Sequence, residues 1–348
     1  VAVDRVLLAS PRGFCAGVEK AIKALDWMVS VFEAPVYCFH EIVHNRYVVE
    51  HFVARGVVFV DDVGDVPVGA PLMLSAHGSP PSVVARARDN GGVVVDAVCP
   101  LVTKVHHELK VRASKGYTVL YVGHAGHEEA VGTMAVAPAS VHLVESPDDV
   151  DALELGDAPV ALLSQTTLSF DEWQDVRTRA EARFPGLWMP NRSDLCFATT
   201  NRQGALREVA KAADAVVVIG SANSSNTVAL EKVARASGCP RVLRVNGPDE
   251  LPDDLEGTVG VTAGASAPDS IVDAVIEVLA PRDGVATVVV TDEDEYFPPP
   301  PELRELLRAL AVTISVLCDA PGAPLDPVAQ DREVHAAAVL TGVGGPRG

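Results

Sequence analysis

Cys15, Cys99 and Cys196 each end an apolar or turn-rich stretch and precede a helical pattern. The stretch Asp96-Ala97-Val98-Cys99-Pro100-Leu101 shows this best. Val93 to Val95 read as a strand, and Pro100 takes a first helical position, where its missing N–H is no loss. Val102, Val105, Leu109 and Ala113 then recur at helical spacing. A helix start carries partial positive charge and lowers a thiol's pKa, so a ligand or nucleophile is expected there. One buried cysteine is ordinarily a small apolar residue. Three at the same place in three repeats point to ligation. Three thiolates cannot close a structural zinc site, but they can hold an iron–sulfur cluster with one iron left open. Such an iron can polarise a substrate oxygen as a Lewis acid. Cys38, Cys239 and Cys318 fit no repeat position and read as packing residues.

A second set of residues lies in polar loops that follow strands: His44, His77, His127, Thr166, Ser224, Ser225, Asn226 and Ser266. The set contains almost no Lys or Arg. Converging hydrogen-bond donors and helix N-termini suit a phosphate or diphosphate. One residue of Ser224-Ser225-Asn226 also suits a helix N-cap. Glu129 lies among these donors as a candidate proton source, with Glu128 beside it as a rival.

The elements that must position these groups form an internal repeat. Each unit opens with a cysteine, then helix, strand and polar loop, with a second polar loop after a later strand. The first loop lies 29 residues on from the cysteine (15 to 44), then 28 (99 to 127), then 28 (196 to 224). The second lies 62 on (15 to 77), then 67 (99 to 166), then 70 (196 to 266). Ligands of open α/β sheets bind beyond the carboxyl ends of strands. The predicted architecture is therefore α/β, with three pseudo-threefold-related α/β units around a central iron–sulfur site. The units are placed at residues 1–98 (with the N-terminal strand), 99–195 and 196–284. Residues 285–312 are expected to add a strand and helix packed on the core, and 313–348, poor in periodicity, to be a disordered tail. The acidic run Asp292 to Glu295 reads as a solvated turn.

Bulk properties agree. The chain has 348 residues, 48% hydrophobic and 5% aromatic, with the valine and alanine content of buried parallel strands. Its net charge of −19 and lack of a basic patch argue against nucleic acid or a membrane surface as partner. Six cysteines are too sparse for a disulfide scaffold. No signal peptide or membrane-spanning run is visible, so the expected compartment is the cytoplasm.

The stretches PRGFCAGV, HEIVHNRYVV, SAHG, CPLVTKVH, GHAGH, QTTLS, ATTNRQ, SSN and GVTAGASAPD, in this order, resemble the 4-hydroxy-3-methylbut-2-enyl diphosphate reductase (LytB) family. The resemblance runs from about Val3 to Ala311. It implies an oxidoreductase of the non-mevalonate isoprenoid pathway with one [4Fe-4S] cluster on Cys15, Cys99 and Cys196. The substrate hydroxyl would bind the fourth iron and leave as water, giving isopentenyl and dimethylallyl diphosphate. His44, His77, Ser224, Ser225, Asn226 and Ser266 would hold the diphosphate, with His127 nearby. Glu129 would supply a proton and Thr166 would orient the hydroxyl. Electrons would come from reduced ferredoxin or flavodoxin, to a monomer or homodimer. The chain departs from the family pattern at Glu128, where proline is common, at Val98, where threonine is common, and at Ala222, where lysine is frequent. The loop after Gly78 is also one residue short. The alternative from another class is a non-catalytic iron–sulfur sensor of a phosphorylated metabolite.

Overall fold

The computed structural model describes residues 2–317 and 326–341. The chain opens with β1 (Ala2–Ser10) and α1 (Ala16–Val31). A first unit follows: β2 (Val36–Phe39), α2 (Arg46–Ala54), β3 (Val57–Val60), β4 (Leu72–Leu74), α3 (Pro81–Asp89) and β5 (Val94–Asp96). The second comprises α4 (Pro100–Ser114), β6 (Thr118–Val122), α5 (Glu128–Met134), β7 (Val141–Val144), α6 (Pro147–Ala152), β8 (Val160–Ser164) and α7 (Phe170–Arg183). The third comprises α8 (Phe197–Ala210), β9 (Ala215–Ile219), α9 (Ser225–Ala236), β10 (Arg241–Val245), β11 (Glu256–Ala263) and α10 (Asp269–Leu279). The strand β12 (Val285–Val289) and helices α11 (Pro301–Leu317) and α12 (Ala336–Leu340) complete it.

Three separate parallel sheets result, in the orders β3-β2-β4-β5, β7-β6-β8 and β10-β9-β11-β1-β12. Two of their strands are buried along their whole length: every residue of β8 and β9 is buried. Strands covered on both faces need no polar alternation, which is why these read as valine blocks. Because every sheet is parallel, all strand C-termini in it point the same way, and the loops that follow them gather at one edge.

The N-terminal strand does not belong to the first unit, as its place in sequence suggested. It pairs with β11 through Val6↔Val259 and Leu8↔Val261, and with β12 through Val6↔Val285. Val3, Val6 and Leu8 face the same core as Val259, Val261, Val272 and Val275. The third sheet thus takes in the first and the last strands of the described residues, and the boundary at residue 98 encloses only β2 to β5 as a sheet.

The expected tail also departs from its composition. The helix α11 runs to Leu317. Residues 326–341 fold back on α1: Lys23 Nζ donates to Asp331 Oδ2 at 2.8 Å, with both side chains almost fully buried. Ala336 N donates to Glu19 Oε2 at 2.6 Å, and Ala336, Val339 and Leu340 enter the core that holds Leu25 and Met28. A buried lysine is tolerable only with such a partner. The parts of the tail at 318–325 and 342–348 lie outside the described residues, as does Cys318.

The acidic run is not a free turn either. Glu293 forms a two-pronged ion pair with Arg202 Nη1, 2.9 Å from each carboxylate oxygen. The Arg202 side chain is buried, and its remaining donors hold the carbonyls of Gly13, Phe14 and Ala198. It thereby ties the loop before Cys15 to the helix after Cys196.

Candidate active site

Each of the three cysteines is the N-cap of a helix: Cys15 of α1, Cys99 of α4 and Cys196 of α8, all with extended backbone. Each is pinned by the second polar loop of another unit. Cys99 N donates to Ala76 O, Cys196 N to Thr166 O, and Cys15 N to Ala265 O, at 3.0, 3.0 and 3.3 Å. The same bond recurs cyclically, so unit one positions the cysteine of unit two, two that of three, and three that of one. This is the pseudo-threefold relation expressed in hydrogen bonds. Gly17 brings the sulfurs of α1 and α4 together, because a Cβ there would lie 2.9 Å from Cys99 Sγ and 3.8 Å from Cys15 Sγ.

Cys99 and Cys196 do not show the lowered pKa expected from a helix start. Burial, and then the neighbouring Cys15, push Cys99 up to about 12. Burial, and then Cys15, raise Cys196 to about 12 as well, against a bond from Thr199 N to its sulfur. Desolvation and mutual repulsion outweigh the helix dipole when three thiols share one buried spot. A coordinated metal reverses that balance by deprotonating its thiol ligands outright. Cys38 and Cys239 are buried in the cores and take no part.

All six polar loops reach the same place. One cavity of about 780 Å³, its mouth included, is lined by Cys15, Cys99, Cys196, His44, His77, His127, Glu129, Thr166, Ser224, Ser225, Asn226 and Ser266. Every residue singled out from the sequence as ligand or anion donor is therefore in this lining, as is Glu129; its rival Glu128 is not. Phe197 and Phe297 join them, with ring centroids 6.3 Å apart. Among the described residues, no Lys or Arg lines the cavity.

Local capping sets the donors in place. Asn45 caps α2 by accepting from Val48 N, which fixes His44 just before it. The rings of His44 and His77 stack with centroids 4.1 Å apart, and His127 stands edge-on at 5.7 Å and 6.1 Å from them. Ser224 is the N-cap of α9, accepting from Thr227 N. Asn226 ties the loops of the third unit together, accepting from Ala265 N at 2.9 Å and donating to Thr199 Oγ1 at 3.3 Å. The hydroxyls of Ser225 and Ser266 donate to the carbonyls of Thr167 and His44. An anion would take these protons by rotation about one side-chain bond.

The two neighbouring glutamates separate in this geometry. Glu129 is 2% exposed; its Oε1 accepts from Thr166 N at 2.7 Å and its Oε2 from Thr166 Oγ1 at 3.0 Å. Burial pushes it up to about 7 despite those bonds, and nearby Asp194 adds to the shift. Asp194 is itself raised to about 6 by burial, although Lys104 lies 3.3 Å away. Glu128 instead faces His77, with Oε2 2.8 Å from Nδ1, and lies 3.9 Å from His40. Burial alone would raise it, but His77 and then His44 and His40 outweigh that and hold it down at about 2. His127 caps α5 by accepting from Glu129 N through Nδ1. Burial and then His77 and His44 lower it to about 3, so the ring is neutral. Gly132 lets α5 reach the His77 loop, since a Cβ there would sit 2.3 Å from Gly78 O.

Some residues of the site went unremarked in the sequence. Gln165 donates to Ser225 and Thr167 and accepts from His124 N. Asn223 donates to Glu41, which lies 3.2 Å from His44 Nδ1. Gln165 and Glu41 lie inside stretches noted for other reasons. Phe297 had only its place before a proline run as a signal.

Comparison with known proteins agrees with this geometry. Residues 6–280 match the family model described as LytB protein. A 4-hydroxy-3-methylbut-2-enyl diphosphate reductase of Leifsonia xyli is 47% identical over 307 residues, covering 86% of this chain and 91% of the relative. The 4-hydroxy-3-methylbut-2-enyl diphosphate reductase 1 of Mycobacterium tuberculosis is 50% identical over 251 residues, covering 71% and 76%. The structure of the E-1-hydroxy-2-methyl-but-2-enyl-4-diphosphate reductase of Plasmodium falciparum superposes with a TM-score of 0.85 at 30% identity, covering 88% of this chain and 99% of that one. Motif order, sheet topology and overall superposition lead to one assignment: the chain belongs to the LytB family.

Proposed function

We infer that this chain reductively removes the hydroxyl of 4-hydroxy-3-methylbut-2-enyl diphosphate, giving isopentenyl and dimethylallyl diphosphate in the non-mevalonate isoprenoid pathway. The observation that carries this reading is the meeting, in one cavity, of three cysteines, a buried acid raised to about 7 and donors for an anion. Membership of a family whose relatives bear that activity in their names supports it. In the balance of the reaction one C–O bond breaks, two electrons and two protons enter, and water leaves.

The residues present fit an iron–sulfur cluster. Three sulfurs line one cavity, and the missing Cβ of Gly17 leaves the room they share. Cys15, Cys99 and Cys196 would hold a [4Fe-4S] cluster, which when bound supplies a Lewis-acid iron for the hydroxyl and a path for the electrons. His44, His77, His127, Ser224, Ser225, Asn226 and Ser266 would bind the diphosphate through hydrogen bonds and the N-terminus of α9. Thr166 would orient the hydroxyl. Glu129, raised to about 7, holds a proton in a large fraction of molecules near neutral pH and would deliver it to the leaving oxygen or the allylic carbon. Reduced ferredoxin or flavodoxin is the proposed one-electron donor.

The test is anaerobic turnover of this substrate with a strong artificial reductant, on protein whose iron and sulfide have been assayed. Product formation with about four irons per chain, the content of one four-iron cluster, is expected. Full iron and bound substrate without turnover would replace the reductase by a sensor. No iron after reconstitution would remove the role given to the three cysteines.

A further inference from the structure

We propose that Lys20 is a fixed positive charge, standing behind Cys99 and outside the cavity, that raises the reduction potential of the cluster read onto the three cysteines. Lys20 lies on α1, the helix capped by Cys15, and is 7% exposed. Its Nζ donates at 2.8 Å to Val98 O, the carbonyl of the peptide that joins Val98 to Cys99. Val98 is gripped from its other side as well, since Val98 N donates to Asp96 Oδ1 at 3.0 Å. A buried ammonium without a counter-charge is costly. Lys23, one turn further along the same helix, meets that cost with Asp331 at 2.8 Å. Lys20 has no such pair: among the described residues its one side-chain hydrogen bond is to a neutral carbonyl.

The missing counter-charge is the cysteine itself. Burial lowers the pKa of Lys20, and the charges that oppose this are Cys99 first, then Asp96 and Glu302. Arg202 provides the contrast. It is also buried and acts on Cys196, yet Glu293 neutralises it with both carboxylate oxygens. Net charge and hydrogen bonds to the sulfurs set the potential of an iron–sulfur cluster. Three thiolates are negative, and each electron adds a further negative charge. Among the described residues no Lys or Arg lines the cavity to offset it. In a buried site, a cation one peptide away from a ligand favours the reduced form. Lys20 does this from behind the wall, and so leaves the donors of the cavity to the substrate. The role rests on the cluster reading of Cys15, Cys99 and Cys196.

The experiment is an equilibrium redox titration of the substrate-free, cluster-bearing protein under anaerobic conditions. Viologen mediators supply one electron per cluster reduced, and the reduced form is counted by electron paramagnetic resonance. Iron and sulfide are assayed in each sample. Lys20→Gln keeps a donor for Val98 O and removes the charge. Its midpoint is expected at least about 59 mV below that of the wild type, a tenfold loss in the one-electron equilibrium constant. Lys20→Met removes donor and charge together and should fall at least as far; should it lose iron, Lys20→Gln decides alone. Lys20→Arg restores a permanent charge and should bring the midpoint back toward the wild type. Full iron and an unchanged midpoint in Lys20→Gln overturns the proposal, because Lys20 would then supply a bond and not a charge. An equal fall in Lys20→Arg overturns it as well. Wild-type protein without iron after reconstitution removes the cluster reading and this role with it, whereas an iron-loaded Lys20→Gln at the wild-type potential removes this role alone.

Discussion

On one side of the cavity, His44 and His77 stack and Glu128 is held ionised against them, down at about 2. On the other, the next residue in the chain, Glu129, is buried against Thr166 and raised to about 7. The side chains are of one type and start from adjacent backbone positions at the head of α5. What differs is the neighbourhood: imidazoles for Glu128, a backbone amide, a hydroxyl and another acid for Glu129. One side is therefore built to handle fixed charge, and the other to hold a proton that can leave. The comparison teaches that a helix N-terminus alone decides neither role.

The largest effect should come from the point that the two sides share. Cys99 is an N-cap between the His77 loop, through Ala76, and the helix that borders the second unit. Cys99→Ser is expected to lose or badly degrade the cluster, read as iron and sulfide per chain, and to abolish turnover. A full, stable cluster in that variant would sink the three-cysteine assignment and leave the two sides without a common centre.

The next effect separates the two sides. Glu129→Gln should keep iron and substrate binding but lower kcat by about 10²–10⁴, the usual contribution of a positioned acid. Glu128→Gln should cost far less in kcat. His77→Asn should mainly raise KM, by about 10- to 100-fold for the loss of one hydrogen bond to a charged group. If Glu128→Gln proved the more damaging in kcat, the proton-delivering role would move one residue back.

How much of this could be read beforehand depends on how local each signal is. The three cysteines and six loops were legible because every unit repeats the same short pattern, and the cavity brings all of them together. The sheet to which β1 belongs was not legible, because Val3, Val6 and Leu8 would suit any parallel core; only tertiary packing selects β11 and β12. The part of the tail at 326–341 was not legible because its hold on α1 rests on a few anchors, chiefly Asp331, Ala336, Val339 and Leu340, scattered through a segment of low periodicity. Glu293 looked solvated because Arg202, its partner, lies far away in the chain. The thiols were expected to be acidic because the helix start is visible in sequence, whereas the burial that outweighs it is not.

The smallest effect should be in pH. A carboxyl raised to about 7 is protonated below that value and ionised above it. If its proton is the one delivered, kcat at saturating substrate should be flat below about pH 7 and fall about tenfold per unit above it, as the protonated fraction does. A carboxylate held at about 2, like Glu128, would leave no break in this range. Thr166→Val sharpens the point. It removes the hydroxyl that favours the charged form of Glu129, so the break should move to higher pH while the maximum rate drops. A wild-type profile without a break between pH 6 and 8 would show that Glu129 does not titrate as the geometry demands, and the contrast between the two sides would then rest on position alone.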